Sequence, residues 1–208
     1  ISFAKFNHCE SNGWATPDQY IHACYSDIPS LFGERGLSTH QWPYASEENA
    51  VEYPVITGLV MYATSFFAYS PVGYFNINIF FLILLFIATV LIVRRIRPEF
   101  SYLAAVAPAM VASLFINWDL WAIATMMLAI YWFDRKKYVP SALVMALSIS
   151  TKFLPVFLLI PIAFILWREE KIKELIKYAA VTSLTWIAIN APFALTTPTG
   201  WWRFYKLN

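Results

Sequence analysis

The sequence has few charged residues: Asp, Glu, Lys and Arg make up 13% of its 208 residues, compared with about 25% in soluble domains. Hydrophobic residues make up 59%, and the mean hydropathy is +0.54. These values exclude an ordinary soluble domain and predict an integral membrane protein. The net charge of +2 is too small to indicate a nucleic-acid partner, and we expect none.

Several sequence motifs are also absent. No glycine-rich phosphate loop or dinucleotide fingerprint is present, so a transferase would need a donor other than a soluble nucleotide. The histidines His8, His22 and His40 are far apart and no Cys-x-x-Cys occurs, so we expect no metal site and no cofactor. Cys9 and Cys24 both lie in the polar N-terminal segment. They either form a disulfide in an oxidising compartment or are two unrelated thiols.

Positive charge is concentrated in three short clusters that separate long apolar runs. Ten of the fifteen Lys and Arg residues belong to these clusters: Arg94, Arg95 and Arg97; Arg135, Lys136 and Lys137; Arg168, Lys171, Lys173 and Lys177. Because cytoplasmic loops of membrane proteins are enriched in Lys and Arg, we expect all three clusters on the cytoplasmic face. The apolar runs then cross the membrane in alternate directions, and the polar N-terminal segment lies outside the cytoplasm.

The sequence therefore predicts an all-α, polytopic membrane protein with three parts. Residues 1–72 form an extracytoplasmic loop with juxtamembrane helices, 73–192 a transmembrane bundle, and 193–208 an extracytoplasmic amphipathic segment. The bundle is expected to contain about six helices, at 74–93, 100–116, 118–133, 138–151, 153–167 and 174–191. We also expect the chain to be a fragment of a longer protein with further helices.

The N-terminal part has weaker signals. It is predicted to begin as a polar, loop-like stretch, with short helices at 17–25 and 27–36, the second ending at Gly36. The apolar run at 55–70 is mixed with Thr, Tyr, Ser and Gly and has no basic flank. We expect it to lie along the membrane interface rather than to cross the membrane.

Two predicted helices of the bundle are short for a membrane span, which needs about 20 residues. Their outer turns carry Asp119 and Lys152 and should lie below the outer lipid surface. Charged side chains are costly at that depth unless they face water or each other. We therefore expect a cavity that opens to the outside and is covered by residues 1–70.

Charged side chains on the outer side are the candidates for chemistry. Asp27 either caps the N-terminus of a short helix or faces the cavity as an acid. Lys152 either extends to the interface or binds a phosphate, since a fixed cation stabilises a phosphate leaving group. Asp119 either orients Lys152, binds a sugar hydroxyl or caps the following helix. Glu34 and Arg35 form either a surface ion pair or a substrate clamp.

Several short motifs follow one another in a fixed order along most of the chain. They are Tyr-Ser-Asp-Ile-Pro (25–29), Gly-Glu-Arg-Gly-Leu (33–37), Val-Glu-Tyr-Pro (51–54), Asn-Trp-Asp-Leu (117–120), Thr-Lys-Phe-Leu-Pro (151–155), Asn-Ala-Pro-Phe (190–193) and Gly-Trp-Trp-Arg-Phe (200–204). This order resembles the bacterial membrane glycosyltransferases of family 87, in the GT-C superfamily. That family includes the mycobacterial polyprenol-phosphate-mannose-dependent mannosyltransferases.

The resemblance implies an inverting hexosyltransferase of the cell envelope, multi-pass in the cell membrane, with its active face outside the cytoplasm. The donor is expected to be a polyprenyl-phosphate sugar, with mannose as the sugar, and the acceptor a lipid or glycan among membrane lipids. The family's catalytic base, an acid in the first large extracytoplasmic loop, matches Asp27. The candidate substrate-binding residues are Lys152, Arg35, Glu34, Asp119, Asn117, Glu52 and Tyr53. A transporter or flippase, or a non-catalytic membrane subunit, remains the alternative.

Overall fold

The structure is a computed structural model and describes residues 2–207, which contain α-helices, short 3-10 turns and no strand. The predicted all-α class is confirmed. The helices are α1 (Ser2–Asn12), α2 (Asp18–Ile21), α3 (Asp27–Glu34), α4 (Val55–Ser65), α5 (Pro71–Ile96), α6 (Ser101–Val106), α7 (Pro108–Ser113), α8 (Asp119–Asp134), α9 (Tyr138–Thr151), α10 (Leu159–Arg168), α11 (Ile172–Thr196) and α12 (Pro198–Leu207). The 3-10 turns are Leu37–Thr39, Pro98–Phe100 and Leu154–Leu158.

The N-terminal segment is more helical than its composition indicated. The stretch predicted to be loop-like is the helix α1, which a Cys9–Cys24 disulfide joins to the residues after α2. The helix α3 ends close to the predicted position, because Gly36 adopts a left-handed conformation with φ of 67° just after its last turn. Glycine reaches this conformation without the steric cost of a side chain, so it is a common helix terminator.

Four helices form the main row of the bundle: α5 packs on α8, α8 on α9, and α9 on α11. The hydrogen bond from Ser141 Oγ to the Ala129 carbonyl (2.8 Å) lies where α8 ends and α9 begins, so these two helices are antiparallel. The helices α9 and α11 run parallel, since Ser141 contacts Tyr178 near their starts and Ser150 contacts Asn190 further along. The directions agree with the alternation predicted from the charge pattern.

Buried polar side chains join the helices of this row to one another and to α4. Ser148 Oγ donates to the Ala122 carbonyl at 2.9 Å, and Thr57 Oγ1 donates to the Thr151 carbonyl at 2.6 Å. Both donors are almost completely buried. Buried hydroxyls are costly when unpaired, so each bond favours one register between the helices that it connects.

The three basic clusters lie at one end of the bundle, opposite Asp119 and Lys152. A cavity of about 480 Å³ is lined by residues of the second and third clusters together, including Lys136 and Lys171. The first cluster lies at the end of α5. The helix α5 runs parallel to α8, because Trp118 Nε1, just before α8, donates to Asn78 Oδ1 in the first half of α5 at 2.7 Å. The clusters therefore share one end, as their spacing predicted.

Several helices differ from the predicted boundaries. The helix predicted at 17–25 is the shorter α2 (Asp18–Ile21), and the helix predicted at 153–167 is the 3-10 turn Leu154–Leu158 followed by α10. Two other differences each involve a proline. The span predicted at 100–116 is two short helices, α6 and α7, separated at Ala107 (ψ 126°). A following proline disfavours the helical conformation, and Pro108 follows Ala107. Conversely, α11 continues through Pro192 to Thr196 instead of ending at 191. A single proline removes one backbone donor, and here the neighbouring turns keep the helix continuous.

The helices α5 and α11 are long and apolar enough to cross a membrane. Only 22% of the most apolar window of α5 and 11% of that of α11 is buried. Large apolar side chains, such as Leu91 on α5 and Leu184 on α11, are more than half exposed. The core helix of a soluble protein would be mostly buried, so these two helices do not resemble one.

Candidate active site

The turn before α3 is held against the segment that precedes α8. Ser26 is the N-cap of α3, since its Oγ accepts a hydrogen bond from the Ile28 amide at 3.2 Å. The same hydroxyl donates to the Phe115 carbonyl at 2.9 Å, and the Asp27 amide donates to the Ile116 carbonyl at 2.8 Å. Asp27 is therefore the first residue of the helix and not its cap, and its side chain is available for another role.

Two tyrosines bind the carboxylate of Asp27, one on each oxygen. The Tyr25 hydroxyl donates to Oδ1 and the Tyr53 hydroxyl donates to Oδ2, both at 2.6 Å. The hydrogen bond to Asp27 raises the pKa of Tyr25, and burial together with the charge of Asp27 raises the pKa of Tyr53. Both phenols therefore stay protonated and act as donors. An ionised carboxylate offers about four acceptor positions, so two remain for a substrate.

Tyr53 also connects Asp27 to Lys152. The Lys152 ammonium lies 5.3 Å from the centre of the Tyr53 ring, a cation–π distance. Lys152 Nζ also forms an ion pair with Asp119 Oδ1 at 2.7 Å. Of the roles considered for Asp119, orienting Lys152 is the one that these contacts support. A lysine has three N–H donors, so two stay available on Lys152 for another acceptor.

A second charged group is centred on Glu52. One oxygen of its carboxylate, Oε1, accepts from Arg35 Nη2 at 2.5 Å and from Arg203 Nη2 at 3.0 Å. Arg35 thus pairs with Glu52 and not with its neighbour Glu34. The Nε atoms of both arginines are buried and have no hydrogen-bond partner among residues 2–207. Each guanidinium therefore pairs with Glu52 through its Nη2, while its Nε is enclosed by protein.

Asp27, Tyr53, Lys152, Glu52 and Arg35 line one cavity of about 490 Å³, a size that suits a small-molecule ligand. Its lining residues are Tyr25, Asp27, Leu31, Glu34, Arg35, Glu52, Tyr53, Lys152, Phe204 and Leu207. Most of them come from the segment that was expected to cover the cavity, and the rest from the end of α9 and from α12. The structure therefore brings Asp27 and Lys152 to the same cavity.

Two of the predicted site residues lie outside this lining. Asp119 contacts the lining through its ion pair with Lys152. Asn117 lines a different and smaller cavity of about 150 Å³ between α7 and α8, and its side chain accepts a hydrogen bond from the Asp119 amide at 3.0 Å. This hydrogen bond of Asn117 stabilises the turn that begins α8.

Arg203 was not among the predicted site residues; it does not line the cavity but pairs with Glu52, which does. Arg203 is far from Glu52 in sequence, and the structure brings the two together through α12. Its guanidinium also donates to the carbonyls of Glu47 and Glu48. The available signal was the Arg within the aromatic Gly-Trp-Trp-Arg-Phe motif, because a lone cation among aromatic residues often has a defined partner.

The structure also brings together histidines that are distant in sequence. His8 and His22 both contact the carboxylate of Asp18, and one potential ligand atom from each residue lies within 4.8 Å of the others. No comparable group of three ligands forms inside the main cavity among the described residues. The expectation of no metal site was based on the spacing along the chain, which does not show this proximity.

No family model matches the chain, and no curated protein or solved structure does either. The resemblance to family 87 therefore depends on the order of the short motifs alone. The function has to be inferred from the cavity and its charged groups.

Proposed function

We propose that this protein is a multi-pass membrane glycosyltransferase of the GT-C type that acts on the extracytoplasmic face of the cell membrane. It transfers a sugar, with mannose as the expected one, from a polyprenyl-phosphate donor to a lipid or glycan acceptor. The observation that carries the proposal is the single cavity shared by the carboxylate of Asp27 and the cations Lys152 and Arg35.

The exposed apolar faces of α5 and α11 support a membrane location, because lipid is the solvent in which such faces are stable. The common end of the three basic clusters supports the orientation. By the positive-inside rule that end faces the cytoplasm, so the cavity at the other end opens to the exterior. The shorter helices α8 and α9 then bring the floor of the cavity below the outer lipid surface.

Asp27 is suited to be the general base of the reaction. Its carboxylate is oriented by two phenol donors and keeps free lone pairs on the cavity side. In the proposed step, Asp27 takes the proton of an acceptor hydroxyl while that oxygen attacks the anomeric carbon. The bond from the anomeric carbon to the phosphate oxygen breaks at the same time. Attack opposite to the leaving group inverts the anomeric centre, and polyprenyl phosphate departs.

Lys152 and Arg35 are suited to hold the phosphate as its negative charge increases. Lys152 keeps two N–H donors besides the one that pairs with Asp119, and Arg35 contributes its positive charge to the lining of the same cavity. Fixed cations in a site that excludes water stabilise a developing anion more strongly than mobile ones do. The donor supplies the free energy of the transfer, and the proposal needs neither a nucleotide nor a metal.

An apolar cavity next to Lys152 suits the lipid part of the donor. It has a volume of about 400 Å³ and lies between α9, α11 and the turn that begins α10. Its lining includes Phe153, the residue after Lys152, together with Trp186 and Ile187. A polyprenyl chain in this cavity would place the attached phosphate near Lys152.

The test is transfer of radiolabelled mannose from a synthetic polyprenyl-phosphate donor to membrane lipid extract, with the protein in liposomes. We expect Asp27→Asn to fold like the wild type and to lower the transfer rate by about 100-fold or more, the usual contribution of a general base. The matched control is Asp134→Asn, which removes an exposed carboxylate at the opposite end of the bundle. This variant should keep full activity.

Two results would contradict the proposal. Turnover by Asp27→Asn within tenfold of the wild type would remove Asp27 from the role of base. Movement of the donor across the bilayer by the wild type without formation of a new glycosidic bond would favour a transporter instead.

A further inference from the structure

His8, Asp18 and His22 meet on the N-terminal segment, and none of them lines the cavity. His8 Nε2 lies 2.7 Å from Asp18 Oδ2, and His22 Nδ1 lies 3.0 Å from Asp18 Oδ1. The two imidazole rings are stacked with their centres 3.7 Å apart. From this convergence we propose that the three side chains bind one zinc ion, a site independent of the proposed transferase activity.

The three residues supply the ligand atoms that zinc prefers. Imidazole nitrogens and a carboxylate oxygen are common zinc ligands at distances of about 2.0–2.2 Å. Here one such atom from each residue lies within 4.8 Å of the others, so a small shift of side chains allows all three to bind one ion. The rings must turn apart, and they are free to do so because both are more than a third exposed.

Binding requires a change of tautomer and no large change of structure. In the structure His8 Nε2 lies at hydrogen-bond distance from the carboxylate of Asp18, and His22 Nδ1 lies close to both that carboxylate and the backbone carbonyl of Asp18, at 3.2 Å from the carbonyl. A neutral imidazole carries its proton on either nitrogen, so the facing lone pairs become available when the protons move to the outer nitrogens. The metal then takes the place of the shared protons between the imidazoles and the carboxylate.

The backbone already holds the three residues together. Asp18 and His22 are four positions apart on the turn of α2, so their side chains share one face. His8 belongs to α1, and the disulfide between Cys9 and Cys24 joins α1 to the end of that turn, with 6.0 Å between the Cα atoms. The disulfide therefore already restricts the chain between the ligands, which lowers the entropy cost of bringing them together around a metal ion.

The ligand set favours a transition-metal ion such as zinc over calcium or magnesium. Calcium and magnesium prefer oxygen ligands, whereas imidazole suits zinc, copper and nickel. Both cysteines are in the disulfide, so no thiolate is available to compete for the metal among the described residues. Three protein ligands leave a fourth position for water or an external ligand.

The test is isothermal titration of the purified, tag-free protein with zinc after removal of metals by a chelator, with the disulfide kept oxidised. We expect one equivalent to bind. His8→Gln, His22→Gln and Asp18→Asn should each weaken binding by at least about tenfold, since loss even of an outer-shell partner weakens metal binding 10- to 100-fold. The matched control is His40→Gln, because His40 stacks on Phe66 and is outside the group.

Circular dichroism and mass spectrometry check that each variant keeps its helix content and its disulfide. Folded variants that lose zinc binding, beside a control that retains it, would support the site. The proposal would be overturned if the wild type binds no zinc, or if the folded ligand variants bind it as tightly as the wild type. It would also be overturned if His40→Gln weakens binding as much as His8→Gln.

Discussion

Gly200 lies where α12 approaches the N-terminal segment, and Gly200→Ala is expected to loosen that helix. A Cβ at this position would lie less than 3.0 Å from the backbone carbonyl of Tyr44. Tyr44 cannot easily move, because it is fully buried and its hydroxyl donates to the carbonyls of Tyr53 and Pro54. The steric conflict is therefore relieved by a shift of α12.

The size of the effect follows from two opposing contributions. Inserting a methyl group into a tightly packed contact costs about 1–3 kcal/mol. Replacing glycine by alanine within a helix returns up to about 1 kcal/mol. Because the added Cβ meets buried backbone rather than a flexible side chain, the cost lies in the upper part of that range, about 2–3 kcal/mol, and subtracting about 1 kcal/mol leaves a net destabilisation of about 1–2 kcal/mol. This corresponds to a factor of about 5–30 in the population of molecules in which α12 is detached.

Hydrogen exchange measured by mass spectrometry reports this population for the amides of α12. We expect exchange in Gly200→Ala to be about 5- to 30-fold faster than in the wild type over Pro198–Leu207. The matched control is Gly33→Ala in α3, where nothing lies within 4 Å of the added methyl group. That variant should leave the exchange of α12 unchanged.

Equal exchange of α12 in Gly200→Ala and in the wild type would refute the described packing of this helix on Tyr44. Faster exchange over the whole chain in Gly200→Ala would refute local opening and would indicate global destabilisation. If Gly33→Ala also speeds amide exchange in α12, the faster exchange in Gly200→Ala cannot be attributed to its contact with Tyr44.

Two further predictions concern the N-terminal segment. Replacing Cys9 and Cys24 by serine removes a disulfide that spans about 15 residues, which is worth about 3 kcal/mol of stability. Limited proteolysis should therefore cleave this segment faster than in the oxidised wild type. Equal cleavage rates would contradict this. Tyr53→Phe removes one donor to Asp27 but keeps the ring beside Lys152. A bond to a charged group is worth about 1.5–3 kcal/mol, so the proposed mannose transfer should slow by about 10- to 100-fold, and an unchanged rate would exclude an orienting role for Tyr53.

The fold class and the alternation of helices could be predicted from the sequence because they depend on local patterns. Apolar runs that end in basic residues mark the helices around Arg94 and Arg135, and Gly36 marks the end of α3. The effect of each proline was harder to predict. Pro108 separates two helices and Pro192 is accommodated within one, although both follow an alanine.

The candidate site could be predicted in part, because local patterns also mark some of its residues. Asp27, Glu52 and Lys152 were recognisable because each is a charged residue in an otherwise apolar or aromatic motif. Their mutual contacts, and the contribution of Arg203, depend on which distant segments meet, and one sequence does not contain that information. The convergence of His8 with His22 is a similar case, since it follows from how α1 packs beside α2.

The hydroxyl bonds between neighbouring helices limit how this molecule can move. Sliding α9 along α8 by one turn, about 5.4 Å, would break the bonds of Ser141 and Ser148 to carbonyls of α8 and leave buried oxygens without partners. A piston-like motion of the bundle is therefore disfavoured. Entry and exit of a bulky ligand would instead require hinge-like displacement of the outer segments, such as α12, which borders the main cavity and has an exposed contact in the pairing of Lys206 with Glu47.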